Sequence, residues 1–518
     1  MIAVPWITVL TALPTAGALA LLGLKGRGKS LIRWTALAIS LVSLGLTLYL
    51  WCNFQSASGG LQFQERHAWI PSLGAEYRVG VDGLGLLMLL LTSIVVPIGI
   101  AASWQIEERV PLYYSLFLVL QTCMYGTFTA LNFFHWFIYW ELGLVPAFFL
   151  IRLWGGPRRA AAATQFLVYT MVGSIALLLA FLAIFLATRS FDFMDLAALA
   201  HSGQLMPAVI DKLAWHRFTS ETLALLIFAG AFLGFAVKVP LVPFHTWLPS
   251  AYSEAPTGTT IVLTGAMSKM GVYGFLRILL PIFGVQMQAV LTPLLWLAVA
   301  TIVFAAYSAL AQKDLKRIFA YSSINHLGYC MLAIFAVLKS TSGDSGLIAE
   351  KYAAMSGVFL QMFNHGLTAA TLFWGIAMLE KRSGGLRGLD DFGGLRKVAP
   401  VFSGLMGIAL FSSLGLPGLN GFVGEFLIFK GSFPLATWAT ALSVMGLLVT
   451  AIFILGVLQR VFSGPLNERW RGFPDLAVGE RLALAPAIGL MFALGLDPQL
   501  VLGVVNATVV QMVQRLGF

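Results

Sequence analysis

Long apolar runs separated by short polar stretches recur along almost the whole chain. A run of about 20 apolar residues is what an α-helix needs to cross the hydrocarbon core of a bilayer. The pattern therefore predicts an all-α polytopic membrane protein with about fourteen transmembrane helices. We place these spans at residues 3–24, 31–51, 83–103, 112–131, 133–153, 165–187, 222–246, 258–281, 289–311, 317–338, 353–379, 401–431, 436–459 and 482–512.

The loops between the spans carry basic residues unevenly. If the N-terminus lies outside, the alternate loops on the inner side hold about twice as many lysines and arginines as the outer loops and ends. Basic loops stay in the cytoplasm, so this bias predicts fourteen helices with both termini on the outer side. The first span is expected to be a retained helix, because KGRGKSLIR follows it and no basic stretch precedes it. The longer outer segments, 52–82 and 188–221, are expected to form short surface helices.

Composition narrows the class of protein further. Hydrophobic residues make up 59% of the chain and charged residues 10%, with a mean hydropathy of +0.87. Soluble domains carry about 25% charged residues. The net charge of +10 comes from basic residues that stand singly in short loops, so it indicates topology and not nucleic-acid binding. Three scattered cysteines (Cys52, Cys123 and Cys330) have no disulfide or metal-ligand spacing, and the sequence contains no nucleotide-binding or redox-centre motif.

Ionisable residues inside the predicted spans are the best functional candidates, since a charge in hydrocarbon is costly. Six stand out: Glu141, Lys238, Lys269, His326, His365 and Glu425. Each has a structural alternative, as a carboxylate or histidine that only packs between helices or a lysine that only reaches for the interface. Their succession along the chain at comparable depth favours a lateral proton path, because the protonation of each group depends on its neighbour's state.

Two spans contain helix-breaking residues beside these groups. Pro240 and Pro243 follow Lys238 in the seventh span, and Pro417 precedes Glu425 in the twelfth. Proline interrupts a helix, and paired broken helices mark the transport site of proteins built from inverted repeats. The two breaks lie five spans apart, and five is odd, so the second five-helix unit is expected to cross the membrane in the opposite sense. This predicts three N-terminal helices (1–110), a first repeat (111–282), an inverted second repeat (283–460) and a loop with a C-terminal helix (461–518).

Four segments carry a resemblance to a known family: WELGLVPAFFLIRLWGG, KVPLVPFHTWLPSAYSEAPT, KDLKRIFAYSSINHLGY and LGLPGLNGFVGEFLIFKGSF. Together they resemble the antiporter-like, proton-translocating subunits of respiratory complex I, an NADH:quinone oxidoreductase, and among them chain M. The resemblance covers about residues 75 to 460. It implies fourteen helices in two inverted five-helix repeats, with the seventh and twelfth helices broken.

The resemblance also implies a role in proton translocation for each of the six candidates. In chain order these are Glu141 (fifth helix), Lys238 (broken seventh helix, paired with Glu141), Lys269 (centre of the eighth), His326 (tenth), His365 (eleventh) and Glu425 (broken twelfth). The L- and N-type subunits and the cation-antiporter relatives usually have lysine at the last position. The glutamate at this position favours chain M, as does a sequence that stops soon after the fourteenth span, without the long lateral helix of the L type.

A subunit of this kind moves protons while the redox chemistry of the oxidoreductase takes place in other subunits. The resemblance therefore implies no cofactor or metal in this chain, with NADH, FMN, iron–sulfur clusters and quinone in partner subunits. L- and N-type antiporter-like subunits are its expected neighbours in the lipid bilayer. Two alternatives stay open: a subunit of a cation/proton antiporter, and a relative in a hydrogenase or inorganic-carbon uptake complex. A stand-alone solute transporter is disfavoured, because no substrate-sized polar set lies beside the broken helices.

Overall fold

The computed structural model describes residues 4–71, 75–215, 218–339 and 345–516. Within these ranges the chain is a bundle of α-helices with one two-stranded sheet. Eleven of the described helices are long and apolar enough to cross a membrane. The predicted all-α membrane class is therefore confirmed, while residue 3, the predicted start of the first span, lies outside the described residues.

The α-helices in chain order are α1 (Trp6–Gly23), α2 (Lys29–Cys52), α3 (Gly83–Ala102), α4 (Val110–Thr129), α5 (Phe133–Leu142), α6 (Leu144–Trp154), α7 (Arg159–Thr188), α8 (Phe193–His201), α9 (Leu205–Leu213), α10 (Ser220–Lys238), α11 (Trp247–Glu254), α12 (Thr257–Val262), α13 (Lys269–Gly274), α14 (Leu280–Ala289), α15 (Leu291–Leu310), α16 (Leu315–Lys339), α17 (Ile348–Ser383), α18 (Pro400–Leu414), α19 (Asn420–Leu435), α20 (Thr437–Val457), α21 (Val478–Leu496) and α22 (Gln499–Gln514). The strands are β1 (Gln62–Ile70) and β2 (Ala75–Val81). Turns of π-helix span Leu263–Met267, Phe275–Leu279 and Leu458–Phe462.

Three of the predicted spans are absent from the eleven apolar helices of the described part: the fourth, the eleventh and the twelfth. Helices α4 and α17, at the positions of the fourth and eleventh spans, bury most of their polar side chains inside the bundle. The twelfth is divided between α18 and α19. The predicted fourteenth span is also divided, into α21 and α22, with Pro498 at the junction. The number of crossings and the inverted repeat stay predictions.

Both predicted helix breaks are present. Helix α10 ends at Lys238 and α11 begins at Trp247, with both prolines of the seventh span between them. Helix α18 ends at Leu414 and α19 begins at Asn420, with Pro417 between them. Each break therefore lies beside one of the predicted ionisable residues.

The outer segment 52–82 corrects one prediction. It forms an antiparallel hairpin of β1 and β2, with one 3-10 turn at Ser56–Ser58, and not short surface helices. The sequence AEYRVGV in β2 alternates side chains suited to a half-buried strand, which the length of the segment alone did not reveal. The second outer segment does form the short helices α8 and α9, as predicted.

Ion pairs sort the loops onto two ends of the bundle. Lys29 pairs with Glu107, and Arg382 pairs with Glu480, each at an N–O distance of 2.5 Å, and all four residues lie in or beside loops predicted to be on the inner side. Arg78 pairs with Asp192 at 2.5 Å, and both of these residues lie in segments predicted to be on the outer side. Among the described residues, no ion pair joins an inner loop to an outer loop, as the predicted alternation of loops requires.

Candidate functional site

Lys238 lies at the last residue of α10, where the seventh span breaks. Its side chain is buried, with 3% exposed, and its Nζ has no hydrogen-bond partner among the described atoms. The ammonium group lies 5.0 Å from the centroid of the Trp140 ring, a distance at which the ring face attracts a cation. Gly271 of α13 packs against this break: a Cβ there would lie 2.8 Å from the Val239 nitrogen. The glycine therefore lets the eighth span approach the chain directly after Lys238.

Glu141 lies near the end of α5 and is half-buried. Its Oε1 has no hydrogen-bond partner among the described atoms. The neighbouring Trp140 donates its indole N–H to Ser174 Oγ at 3.0 Å and presents its ring to Lys238. No ion pair within 4 Å joins Glu141 and Lys238 among the described side chains, but the two groups interact electrostatically over a longer distance, and the face of the Trp140 ring lies beside the ammonium group. The predicted pairing of Glu141 with Lys238 stays a prediction.

A small cavity separates Lys238 from the next lysine of the row. Its volume is about 10 Å³, and its walls are Phe166, Lys238, Trp247, Tyr252, Leu263, Met267 and Ser268. This is about the space that the centre of one water molecule needs. Ser268 also lies 3.3 Å from Lys269 Nζ through its Oγ, so the cavity reaches a side chain in contact with the second lysine.

Lys269 is fully buried, and a π-helical turn supplies one of its partners. The backbone N–H of Ser268 donates to Leu263 O, five residues back, and the Ser268 hydroxyl donates to Thr264 O at 2.8 Å. Lys269 Nζ donates to that carbonyl at 2.6 Å. The same Nζ lies 2.8 Å from Nδ1 of His365 on α17.

Two glycines allow this contact between the eighth and eleventh spans. Gly265 lies in the π-helical turn, four residues before Lys269, and Gly366 directly follows His365 in α17. A Cβ on Gly366 would lie 2.5 Å from Gly265 O, so a larger residue would force the two backbones apart. The lysine and the histidine meet because small residues are placed directly beside them.

The row continues from His365 to Glu425 without a gap. The rings of His365 and His326 are 5.2 Å apart between centroids, and His326 Nδ1 lies 3.1 Å from Glu425 Oε1. The Gln361 amide nitrogen lies 3.3 Å from His326 Nδ1 and 3.5 Å from Glu425 Oε1. On the other side of the ring, Ser413 Oγ lies 3.4 Å from His326 Nε2. All of these side chains are buried.

The structure thus places the six predicted residues in two groups. Four of them (Lys269, His365, His326 and Glu425) are successive neighbours. The other two, Glu141 and Lys238, are linked through Trp140, which precedes the glutamate in the chain and faces the lysine. A neutral histidine has one nitrogen that donates and one that accepts, which suits proton transfer. Polar contacts join Lys269 to His365 and His326 to Glu425, and a ring contact joins the two histidines. The contacts of Ser268, Ser413 and Trp140 with the ionisable residues were not predicted. Serine and tryptophan are common in membrane helices, so their presence in the sequence does not mark a site.

Further buried ionisable groups were also missed by sequence reasoning. His135 and His245 are buried, and the Nδ1 of each has no hydrogen-bond partner among the described atoms. Lys316 falls in a predicted inner loop, yet only 3% of it is exposed, and it pairs with Glu380 at 3.1 Å. Its position at the end of a polar loop gave no sign of this burial.

Comparisons with known proteins agree with this geometry. The family described as NADH:quinone oxidoreductase/Mrp antiporter, TM matches residues 130–452. NADH-quinone oxidoreductase subunit M of Rhodobacter capsulatus is 35% identical over 515 residues, which cover 98% of this chain and 96% of the relative. F(420)H(2) dehydrogenase subunit M of Methanosarcina mazei is 36% identical over 469 residues, 89% of each chain.

Solved structures share the fold over the whole chain. A chain of respiratory complex I from Thermus thermophilus with bound NADH has a TM-score of 0.82 and 26% identity, over 99% of this chain and 100% of that one. A chain of the Mrp complex from Dietzia sp. DQ12-45-1b also has a TM-score of 0.82, at 20% identity and with 100% of both chains covered, and this likeness concerns the fold alone. The resemblance found in the sequence is confirmed: the chain belongs to the NADH:quinone oxidoreductase/Mrp antiporter family of membrane subunits, and within it to the subunit M type of respiratory complex I.

Proposed function

We propose that this chain is a proton-translocating membrane-arm subunit of an NADH:quinone oxidoreductase. The observation that carries the proposal is the buried contact row from Lys269 through His365 and His326 to Glu425. Buried ionisable side chains in a membrane bundle are retained for function far more often than for stability, because each one is costly to bury. The 35% identity to a subunit M of an NADH-quinone oxidoreductase over 98% of this chain favours this function over that of a cation/proton antiporter.

The six predicted residues are the proposed proton carriers: Glu141, Lys238, Lys269, His326, His365 and Glu425. Lys269 is the centre of the row, because it alone contacts both the serine at the edge of the cavity and the histidine that continues the row. Transfer between Lys238 and Lys269 proceeds through the cavity between them, where one water fits. A change in the charge of either lysine shifts the proton affinity of the other across this gap, which couples the two groups.

The remaining assignments of the sequence analysis are part of the same proposal. The chain performs no redox chemistry itself, and the NADH, FMN, iron–sulfur and quinone sites belong to partner subunits. L- and N-type antiporter-like subunits lie beside it in the membrane arm. Both termini lie on the periplasmic side of a bacterial inner membrane, and the two inverted repeats are 111–282 and 283–460.

Purification and a single substitution test this function. The chain, tagged and expressed in its own host, should co-purify with subunits that carry flavin and iron–sulfur clusters and that reduce quinone with NADH. In inverted membrane vesicles, the Lys269→Met variant should assemble normally but lose NADH-driven proton uptake. The matched control is Lys430→Met, which removes a half-exposed lysine whose Nζ is 3.9 Å from Glu350. Parental proton uptake by an assembled Lys269→Met complex would contradict the proposal.

A further inference from the structure

Helix α11 forms one wall of the cavity between Lys238 and Lys269, and two of its side chains fix it there. Trp247 donates its indole N–H to Val237 O at 3.0 Å, directly before Lys238. Tyr252 donates its hydroxyl to Leu263 O at 3.1 Å, in the π-helical turn before Lys269. Both aromatic side chains line the cavity. The position of α11 therefore sets the distance across the gap.

The C-terminal end of α11 is held by two cations from a different part of the chain. Lys316, at the start of α16, donates to Ala255 O at 3.1 Å. Arg387, in the loop after α17, donates to Ser253 O at 2.7 Å. The last carbonyls of a helix lack partners within the helix and carry its negative dipole end, so cations are stabilising at this position.

A carboxylate from α17 completes this arrangement. Glu380 Oε1 lies 3.1 Å from Lys316 Nζ and 3.4 Å from Arg387 Nη1, and Glu380 Oε2 accepts from the hydroxyl of Thr257. Asp314 holds the guanidinium of Arg387 at 2.7 Å. We call Lys316, Glu380 and Arg387 the inner clamp. Its three members lie in the proposed second repeat, whereas α11 and Thr257 lie in the proposed first repeat.

We propose that the inner clamp is a positioning device by which the second repeat controls proton transfer between Lys238 and Lys269 in the first repeat. The inference rests on the proposed function, because it assigns the clamp to the same proton path. While the clamp is closed, α11 stays against Val237 and Leu263, and the gap keeps its one-water width. When the clamp opens, α11 is released, Trp247 and Tyr252 leave their carbonyl partners, and transfer across the gap stops.

Two double variants separate the clamp from an ordinary ion pair. Lys316→Met/Glu380→Gln removes both charges together, so that no unpaired charge stays buried. Lys316→Glu/Glu380→Lys keeps an ion pair but places a carboxylate against Ala255 O and the negative end of α11. The matched control is Arg382→Gln. Arg382 lies on α17, like Glu380, and its substitution breaks the 2.5 Å ion pair with Glu480 of α21, away from α11.

The measurements are backbone hydrogen–deuterium exchange of residues 237–252 in the purified complex and NADH-driven proton uptake in inverted vesicles at equal assembly. Both double variants should exchange faster in this segment, by about tenfold, because a hydrogen bond to a charged group is lost. Proton uptake should fall in both, while Arg382→Gln should change neither quantity. Unchanged exchange in Lys316→Met/Glu380→Gln would overturn the clamp.

Two further outcomes would also count against the clamp: parental proton uptake in the charge-swapped variant, or faster exchange with parental proton uptake. These results are distinct from a failure of the proposed function, which would appear as parental uptake in Lys269→Met. The exchange of residues 237–252 does not depend on which residues carry protons.

Discussion

The two ends of the proton row are built differently. From Lys269 to Glu425, each ionisable group contacts the next or a bridging amide, and the glycines of the eighth and eleventh spans bring the helices together. On the other side of the cavity, Lys238 has no hydrogen-bond partner among the described atoms, and an aromatic ring lies between it and Glu141 in the chain of contacts. If the row carries protons, as we propose, Lys269 already contacts its next carrier, whereas transfer to or from Lys238 needs a water molecule or a movement first.

The helix breaks explain part of this difference. At the second break, the Asn364 amide donates to the backbone carbonyl of Asn420 at 2.6 Å, and Ser412 Oγ donates to the Asn420 side chain at 2.6 Å. At the first break, the Val242 N–H donates to Thr301 Oγ1 of α15 at 3.1 Å, and Trp247 of α11 donates to Val237 O at 3.0 Å. Both breaks are therefore held by neighbouring helices, and the second half of the first broken helix is held in addition by Lys316 and Arg387 of the inner clamp. We therefore expect control of transfer at the first break.

The largest effect is expected at this first break. Lys238→Met and Glu141→Ala should each leave the complex assembled but slow NADH-driven proton uptake by about a hundredfold, the size typical of a lost proton-transfer group. Because both act in the same step, the double variant should be no slower than either single one. Uptake in inverted vesicles and quinone reduction by the same membranes check this. Additive losses in the double variant, or parental uptake by Glu141→Ala, would show that the two residues do not share a step.

The next effect concerns the end of the continuous half. Glu425→Gln should reduce proton uptake about tenfold, because the amide cannot take up a proton from His326. Glu425→Asp should retain much of the activity. Glu425→Lys should retain more than Gln, since it places a titratable amine beside His326, as Lys269 is placed beside His365 at 2.8 Å. Equal uptake by the Gln variant and the parent, at equal assembly, would remove Glu425 from the row.

A smaller loss of proton uptake is expected from a substitution in the cavity between Lys238 and Lys269. Ser268→Ala removes a hydroxyl that lines the cavity and contacts Lys269, and we expect a loss of proton uptake of a few fold, about the worth of one neutral hydrogen bond. The solvent deuterium isotope effect on uptake should rise, because transfer across the gap becomes slower than the other steps. The control is Ser403→Ala, which removes another buried hydroxyl from α18. An unchanged isotope effect would show that the gap does not limit transfer.

The smallest effect should fall on stability alone. Asp475 lies in the loop before α21, where burial works against its charge, but hydrogen bonds from the amides of Val401, Phe402 and Leu476 keep its pKa below the usual range. A lowered pKa stabilises the fold above the carboxyl's unfolded pKa, and this stabilisation is lost as the pH falls through the folded one. Asp475→Asn should therefore lower the free energy of unfolding at neutral pH by about 1 kcal/mol, as for a lost helix cap. The variant should unfold at a lower temperature and keep parental proton uptake. The difference in unfolding temperature should shrink in acid, and a constant difference would contradict this origin.

The sequence by itself determined the membrane class, the two breaks and the identity of the six candidates. Apolar runs of bilayer length favour an α-helix, which satisfies its own backbone hydrogen bonds, and Pro240, Pro243 and Pro417 lie where this helix is interrupted. Other prolines, such as Pro97 in α3, lie inside continuous helices, so proline alone does not fix a break. These are local effects, so the breaks after Lys238 and before Asn420 follow from a few neighbouring residues. The hairpin of residues 62–81 and the division between α21 and α22 were missed, because weak turn and strand signals are outweighed by longer apolar runs.

Only the tertiary structure decided which groups touch. The contact of Lys269 with His365 depends on residues 96 positions apart in the chain, and the inner clamp joins Lys316 to a carbonyl 61 positions away. The family resemblance pairs Glu141 with Lys238, and the fold adds a tryptophan ring whose face lies 5.0 Å from that lysine, which the sequence did not indicate. Such contacts are set by helix crossing points and side-chain directions, which depend on all the packed neighbours at once, and no short stretch of sequence contains them.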